Sequence, residues 1–409
     1  MTIYGLTITE TIISEPIQTG AGIEEVTIIG SATGINSDLY NTIIGIKNYN
    51  DFITKVPQAH DLVKKAVQSY FNNHPSGVLS YFPAFNDETT SLTDEALLEF
   101  HLTYGINAIG ERTDLALRII LIPEAEDITD QAKRTNIFAA TNTMCSLTNW
   151  VYYFNAATAS TTKELVIAER NLYASPLGHS SFYYGRYKNA ADELCPIAPV
   201  AAAILARRSV EEGLFKPNAG AKYPIVGAVS IEPHVDTEAE FNELVKNGIN
   251  VVQPIPKYGY CLWSSRTLSK DVNTIFNNTR IAISSTEEGI EEILTPFLHD
   301  SYDPQGRQGR AIRRSIESFL NRMFLEGAFG GATADTSYVI TEEEIPPENA
   351  PKIPNLPDGG APNPLTQPSS IAAANARRYT KLRIYIHFVG STELIEVGLH
   401  HTLQPEIYG

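Results

Sequence analysis

Alternating hydrophobic and polar positions mark both ends of the chain. Near the start, Leu6, Ile8 and Ile12 fall on one side of an extended chain, and the intervening threonines fall on the other. Near the end, the hydrophobic members of the same period are Leu382, Ile384, Ile386, Phe388, Ile395, Val397 and Leu399. A period of two is typical of β-strands. We therefore expect the chain to begin and end in strands.

A different pattern fills the middle of the chain. Helical segments are predicted over residues 61–71, 93–104, 133–147, 199–212 and 237–247, and again from residue 308. Short apolar runs lie between them, at 26–30, 43–46, 115–122, 151–154, 225–231 and 249–253. Helices that alternate with buried strands predict a mixed α/β fold. We place a central α/β domain over residues 91–299.

A proline-rich stretch interrupts this pattern before the last strands. Eight of the 24 prolines lie between Pro346 and Pro368, mixed with Gly, Asn and Asp. This composition predicts a loop or extended linker over residues 342–376. The acidic run at 342–344 is expected to be a solvated turn and not a calcium site, which needs ligands at spaced positions.

The charge balance narrows the choice of partners. The chain has 31 Lys+Arg against 47 Asp+Glu, a net charge of -16, which repels nucleic acid and anionic lipid. It has no run of 18 apolar residues and no signal-peptide pattern at its start, so neither membrane insertion nor export is expected. Its three cysteines, Cys145, Cys195 and Cys261, are too widely spaced for a CxxC motif. We expect buried thiols and folding in a reducing cytosol.

Candidate catalytic chemistry is sparse. Residues 178–182 read Gly-His-Ser-Ser-Phe, which is similar to the GxSxG nucleophile elbow but has Phe182 in place of the second glycine. We predict a loop there. His400 and His401 are adjacent and therefore face opposite sides of a strand, so they are not expected to share a metal. We assign no catalytic, metal or cofactor residue. The alternative is an α/β hydrolase-like enzyme that uses Ser180 or Ser181.

Several short motifs resemble those of the contractile tail sheath family and follow the family order. Residues 248–255 and 258–269 are similar to its "GIN" segment, glycine turn and "WGxRTL" signature, with Trp263, Arg266, Thr267 and Leu268 matching and Ser264 replacing the glycine. Further matches lie at 4–10 ("PGVYVxE" without its proline), 199–219 ("GxWKxPAN" with Phe215 for Trp), 315–329 ("FL" and "GAF") and 383–395 (the closing strands). Together they cover nearly the whole chain.

The resemblance implies a structural subunit and not an enzyme. Sheath subunits stack as hexameric rings into a helix around an inner tube, and the sheath contracts to drive that tube through a target envelope. The implied partners are further copies of the chain, the inner tail tube protein, and baseplate and tail terminator proteins. The implied location is a virion tail assembled in the bacterial cytoplasm, or a cytoplasmic contractile injection particle. A rival interpretation is another tail or baseplate assembly protein.

The resemblance also implies a division of the chain. Residues 26–90 and 300–398 would form a second domain beside the central one, with linking arms at 1–25 and 399–409 that add strands to neighbouring subunits. The inter-subunit strands would include Leu6, Ile8, Ile12, Ile384, Ile386 and Leu399. Strand pairing within the same subunit is the open alternative. We interpret Trp263, Arg266 and Thr267 as structural, with Trp263 in the core and Arg266 bonded to carbonyls or a carboxylate.

The helix predicted from residue 308 has two distinct faces. Its hydrophobic stripe comprises Ile312, Ile316, Phe319, Leu320, Met323 and Phe324, and its other face carries Arg310, Arg313, Arg314 and Arg322. The helix dipole disfavours basic residues in a first turn by about 0.3–1 kcal/mol each, so an outside partner is expected. In the resembled family a helix of this region faces the tube. Our hypothesis is that Arg310, Arg313 and Arg314 contact an acidic belt on the tube protein; the alternative is internal pairing, for example with Glu317.

Overall fold

The structure is a computed structural model that describes most of the chain. The described residues are 2–3, 6–7, 25–33, 35, 37–84, 95–111, 118–213, 215–235, 237–271, 273–297, 307–345 and 379–386. Within these ranges, helices and strands alternate, so the predicted mixed α/β fold is confirmed. The predicted proline-rich loop lies largely outside the described residues. Its first residues, 342–345, are described and form the end of a strand, so the turn predicted for the acidic run at 342–344 is wrong.

The described part of the chain contains ten α-helices and seventeen strands. The helices are α1 (Tyr49–Lys55), α2 (Asp61–Asn73), α3 (Glu95–Gly110), α4 (Gln131–Thr148), α5 (Lys163–Arg170), α6 (Ala198–Glu212), α7 (Glu238–Lys246), α8 (Asn277–Leu294), α9 (Arg307–Leu325) and α10 (Ala334–Ser337). The strands are β1 (Thr2–Ile3), β2 (Leu6–Thr7), β3 (Glu25–Thr33), β4 (Ile44–Ile46), β5 (Gln58–Ala59), β6 (Leu79–Ala84), β7 (Arg118–Leu121), β8 (Val151–Asn155), β9 (Ser180–Tyr183), β10 (Arg186–Lys188), β11 (Leu194–Pro196), β12 (Ser230–Glu232), β13 (Ile249–Asn250), β14 (Val252–Ile255), β15 (Gly259–Leu262), β16 (Tyr338–Ile345) and β17 (Tyr379–Ile386).

An eight-stranded sheet forms the centre of the fold. Its order is β13-β9-β8-β7-β3-β6-β4, with β5 pairing to the far end of β3. The pairs from β13 to β6 are parallel, and β4 and β5 are antiparallel additions. The hydrogen bonds of this sheet cross the domain boundary predicted at residue 90, because β3, which precedes the boundary, pairs with β7, which follows it. Residues 26–84 are therefore part of the same sheet as the middle segment. The remaining division, including the two linking arms, stays a prediction.

Two hydrophobic layers cover the sheet. Along β3, Ile28 faces the core that contains α2 and α6, whereas its neighbour Ile29 faces the core that contains α3 and α4. Tyr153 and Phe154 on β8 divide between the same two cores. Helices on both faces bury both sides of these strands, which explains why β8 is an almost uninterrupted run of hydrophobic residues, as in other parallel sheets.

Helices α8 and α9 extend the first of these cores. Gly289 on α8 faces Phe319 on α9 so closely that a Cβ atom there would lie 2.4 Å from the ring. Ile316, Leu320 and Met323 continue the buried stripe of α9, as its periodicity predicts. The antiparallel pair β16 and β17 packs against this core through Tyr338, Ile340 and Ile386.

All six predicted helices are confirmed, but several other elements differ from the sequence prediction, and helices α1, α5 and α10 were not predicted. The segment around Ser180, predicted as a loop, is the buried strand β9 in the central sheet. Helix α8 was not predicted. The three cysteines are free and buried, which confirms the expectation of thiols.

Candidate functional site

The motif segments that resemble the sheath signature meet at the β13 edge of the sheet. Gly248 takes a left-handed conformation, with φ of 75°, and turns the chain from α7 into β13. The buried side chain of Asn250 accepts a hydrogen bond from the Arg266 N–H and donates one to the Arg266 carbonyl. It also donates to the Phe182 carbonyl on β9, at 3.2 Å. This amide joins the "GIN" and "RTL" segments into one unit.

Thr267 and Arg266 have structural contacts in this unit. The buried Thr267 hydroxyl donates to the Thr274 carbonyl at 2.6 Å and accepts from the Ser269 N–H at 3.1 Å. The Arg266 guanidinium lies 5.7 Å from the centre of the Phe276 ring, in a cation–π contact. These contacts hold the chain between β15 and α8.

The placement of Trp263 differs from the prediction. Its side chain is 44% exposed, so the prediction that it lies in the core is wrong. Leu262, the last residue of β15, is fully buried. Consecutive residues of an extended chain face opposite sides, which leaves Trp263 on the solvent side.

Arg170 is a buried residue of this unit that the sequence analysis missed. Its guanidinium donates to three carbonyls, those of Tyr173, Asn247 and Leu268, at 2.8 to 2.9 Å. Burial lowers the pKa of its guanidinium. An arginine at the end of a short amphipathic helix carries no sequence signal for such a role, because its partners are distant backbone atoms.

The basic face of α9 is present as predicted. Arg310 and Arg314 are exposed, and Arg313 forms an ion pair with Glu317 at 2.9 Å. The alternative of internal pairing is therefore observed for Arg313. Both members of this pair are partly exposed, and such i,i+4 pairs contribute only about 0.3–0.5 kcal/mol.

The predicted inter-subunit strands pair within the chain where they are described. Leu6 lies in β2, which pairs with β1, and Ile384 and Ile386 lie in β17, which pairs with β16 over eight positions. Ile8, Ile12 and Leu399 lie outside the described residues. Among the described strands, β16 and β17 pair only with each other, so each presents one further edge.

The hydrolase alternative receives no support from the geometry around Ser180. Ser180 and Ser181 are buried in β9, and their hydroxyls donate to Asn142 and Asn277. His179 is turned away and contacts the Trp150 carbonyl at 2.8 Å. Burial and the nearby Arg280 lower the pKa of His179 to about 4. Among the residues that the structure describes, no histidine forms a hydrogen bond with the hydroxyl of Ser180 or Ser181.

The described ranges contain neither a metal-binding cluster nor a membrane-spanning helix. No group of three or more His, Cys, Asp or Glu residues is arranged to hold a metal ion there. None of the helices described is long and apolar enough to span a bilayer.

A cluster of buried charges lies at the carboxyl ends of β7 and β8. The 3-10 turn Pro123–Glu126 follows β7 and buries two carboxylates. Glu126 forms an ion pair with Arg186 at 2.7 Å, yet burial raises the pKa of Glu126 to about 7. Nearby, Glu169 accepts hydrogen bonds from the Ala157 N–H and the Tyr173 hydroxyl. This cluster is not predictable from the sequence, because single acidic residues after a strand look like an ordinary surface turn.

Comparison with known proteins identifies the fold. No family model matches the sequence, and no curated protein matches it. A chain of the anti-feeding prophage (AFP) baseplate in the contracted state superposes with a TM-score of 0.73 at 13% identity, over 98% of this chain and 99% of that one. A chain of the AFP helical sheath in the contracted state gives 0.69 at 16% identity, over 98% and 100%. A chain of the PVC sheath complex of an extracellular contractile injection system gives 0.66 at 15% identity, over 94% and 93%. The resemblance read from the motifs is thus confirmed at the level of the fold, and the chain has the fold of contractile sheath proteins.

Proposed function

We propose that the chain is the subunit of a contractile sheath. The observation that carries this proposal is the extent of the structural likeness, since 98% of the chain superposes on all of a chain from a helical sheath. A likeness confined to the central sheet would be weaker support, because doubly wound α/β sheets serve many functions. Here the likeness extends beyond that sheet.

The subunits stack as hexameric rings into a helix around an inner tube. The β16–β17 pair supports this, because a two-stranded sheet has two edges whose backbone groups can accept further strands. Linking arms at 1–25 and 399–409 of neighbouring copies supply those strands. A contact of one surface with a different surface of the next copy does not close on itself and builds an open helix.

The basic face of α9 contacts the inner tube. Arg310 lies in the first turn of the helix, where the dipole disfavours positive charge, and Arg313 and Arg314 follow in the next turn. An acidic belt on the tube protein compensates for these charges. Contacts between exposed charges are individually weak and are screened by salt. Such contacts suit a sheath that must release the tube and slide along it.

Contraction drives the tube through a target envelope without a cofactor. The extended lattice is metastable, and its subunits repack when contraction is triggered. Baseplate and tail terminator proteins hold the two ends. The particle is assembled in the bacterial cytoplasm, either as a phage tail that delivers a genome or as an injection system.

Electron microscopy of the purified recombinant chain tests the proposal. Negative-stain images should show long hollow tubes with a regular repeat, since linking strands carried by each subunit would join the copies to one another without the tube protein. Small monodisperse particles at every protein concentration and salt concentration would contradict self-assembly.

A further inference from the structure

The central sheet has a crevice beside its middle strand. The strand β3 pairs with β7 only from Glu25 to Ile28, after which the chain of β7 turns away into the 3-10 turn. The strand order reverses at this point, because β6 lies on one side of β3 and the next strand along the chain, β7, lies on the other. In open α/β sheets this is the place where a crevice forms at the carboxyl ends of the strands.

A side chain of the protein itself fills the crevice. The Glu124 carboxyl is fully buried, and its Oε1 accepts hydrogen bonds from the Ser31 N–H at 2.9 Å and the Ser31 hydroxyl at 3.0 Å. Gly30 leaves room for it, since a Cβ atom there would lie 3.2 Å from the same oxygen. The Ser31 N–H thus bonds to a side chain at a position where β7 no longer offers a backbone partner.

The second carboxyl oxygen of Glu124 has nothing among the described residues to stabilise a negative charge on it. Glu124 Oε2 is buried and has no hydrogen-bond partner in the part of the chain that the structure describes. An ionised carboxylate in such a place lacks the solvation or hydrogen bonds that a buried charge requires. Burial raises the pKa of Glu124 to about 8, against the lowering effect of the two Ser31 hydrogen bonds.

The charged groups around the crevice have partners other than Glu124. On the same turn, Glu126 pairs with Arg186 of β10, and Asp127, whose negative charge disfavours ionisation of Glu124, accepts from the Thr158 hydroxyl. Helix α4 contributes Arg134, which bonds the Ile128 and Thr129 carbonyls and lies 3.6 Å from Glu169.

The titratable groups on the other side of the crevice are an imidazole and two phenols. His60, at the start of α2, accepts from the Leu62 N–H, and burial lowers its pKa. Tyr81 of β6 donates to the Ser31 carbonyl, and Tyr40 donates to the Ala32 carbonyl. Within the described ranges, no cation forms an ion pair with Glu124.

We infer that Glu124 is a proton-dependent lock on the end of β3. With its proton, the carboxyl stays in the crevice and holds Ser31. Without its proton, the carboxylate moves to water, the two Ser31 hydrogen bonds break, and the end of β3 is released from the turn. This inference stands apart from the sheath proposal, because it concerns the fold of one subunit.

Hydrogen exchange at the Ser31 amide measures the lock directly. In the closed form, Glu124 holds Ser31, and the pKa of Glu124 is raised there. The closed form therefore binds the proton of Glu124 more tightly than the open form does. It is favoured at low pH and weakens as pH rises from about 4.5 towards 8. The protection factor of this amide, corrected for intrinsic exchange, should fall about tenfold per pH unit between pH 6 and pH 8. A protection factor that does not change with pH in the wild type would overturn the inference without any need for a variant.

Two substitutions separate this lock from general pH effects. Glu124→Gln keeps an oxygen for Ser31 but cannot ionise, so its Ser31 protection factor should be constant over the same range. Glu238→Gln removes an exposed carboxylate on α7 and should leave the wild-type pH dependence unchanged. An equal fall with pH in wild type and Glu124→Gln would show that another group is responsible.

Discussion

The side-chain amide of Asn250 clamps the backbone of Arg266, with its Oδ1 2.7 Å from the Arg266 N and its Nδ2 2.7 Å from the Arg266 carbonyl oxygen. Asn250 lies at the edge of the central sheet, and Arg266 follows the β14–β15 pair. The two residues belong to the two motifs that point most directly to the sheath family. Their contact gives a physical reason for an asparagine at the first motif, since only an amide both donates and accepts in this geometry.

Replacement of Asn250 should destabilise the subunit. Asn250→Ala removes both hydrogen bonds that the side-chain amide makes to the part-buried backbone of Arg266, which should lower the free energy of unfolding by about 1–3 kcal/mol. Asn250→Asp should cost more, because a carboxylate would face two carbonyl oxygens. Urea unfolding of both variants measures these losses. Asn107→Ala, at an exposed position on α3, is the matched control and should change stability little; equal losses at both positions would argue against the clamp.

A side chain at Gly289 should disturb the packing of α8 on α9. The Cβ atom of Gly289→Ala would lie 2.4 Å from the buried Phe319 ring, so the ring or the helix must shift. Overpacking of this kind costs about 1–3 kcal/mol, which exceeds the roughly 1 kcal/mol that alanine gains over glycine in a helix. Thermal unfolding should show a lower melting temperature.

Gly45→Ala provides the comparison for that variant. Gly45 lies on the edge strand β4, and nothing is within 4 Å of a Cβ atom there. The melting temperature of the Gly45→Ala variant should equal or exceed that of the wild type. A stabilised Gly289→Ala variant would mean that α8 and α9 are not packed at this point.

Acid should remove a contribution that Glu212 makes to stability. Burial opposes ionisation of Glu212, but hydrogen bonds from Lys222, Arg208 and Tyr223 outweigh it and hold its pKa near about 2. A carboxyl with a lowered pKa contributes stability above its unfolded value of 4.5, and this is lost as pH falls towards 2. The stability difference between wild type and Glu212→Gln should therefore be constant above about pH 5.5 and shrink below it. Urea unfolding between pH 3 and pH 7 measures this, and a difference independent of pH would contradict it.

Charge reversal on α9 should prevent binding to the inner tube without unfolding the subunit. Acidic residues are favoured in the first turns of a helix, so Arg310→Glu/Arg314→Glu should keep its helix content by circular dichroism. Co-sedimentation with the tube protein should be lost, and wild-type binding should weaken as salt is raised.

The matched control for this pair is Lys246→Glu/Lys257→Glu. It makes the same change in net charge at exposed positions away from α9. It should bind the tube as the wild type does. Loss of binding in both double variants would attribute the effect to overall charge and not to α9.

Much of the fold is readable from hydrophobic periodicity, but the exceptions have physical causes. Helix α8 escaped prediction because its buried face carries polar residues beside its aliphatic ones. Two of them have tertiary partners, since Asn277 bonds to Ser181 and Tyr183, and Arg280 donates to the Leu177 carbonyl. The strand β9 escaped because Ser180 and Ser181 are polar, although their hydroxyls bond to asparagines on α4 and α8.

The candidate site shows the same limits. The basic face of α9 follows from the sequence, because helical spacing alone places Arg310 and Arg314 opposite the buried stripe. The buried state of Glu124 does not, because it depends on where β7 leaves β3 and on the space that Gly30 provides. The exposure of Trp263 likewise depends on which side of β15 faces the core, and Leu262 already occupies that side.

Helical reconstruction of assembled particles by cryo-electron microscopy would show how the subunits contact one another. We expect stacked rings of six subunits, with strands from neighbouring copies added to the outer edges of β16 and β17. A closed oligomer, or a helix in which both edges remain unpaired and α9 faces away from the central channel, would contradict the sheath assembly proposed for this chain.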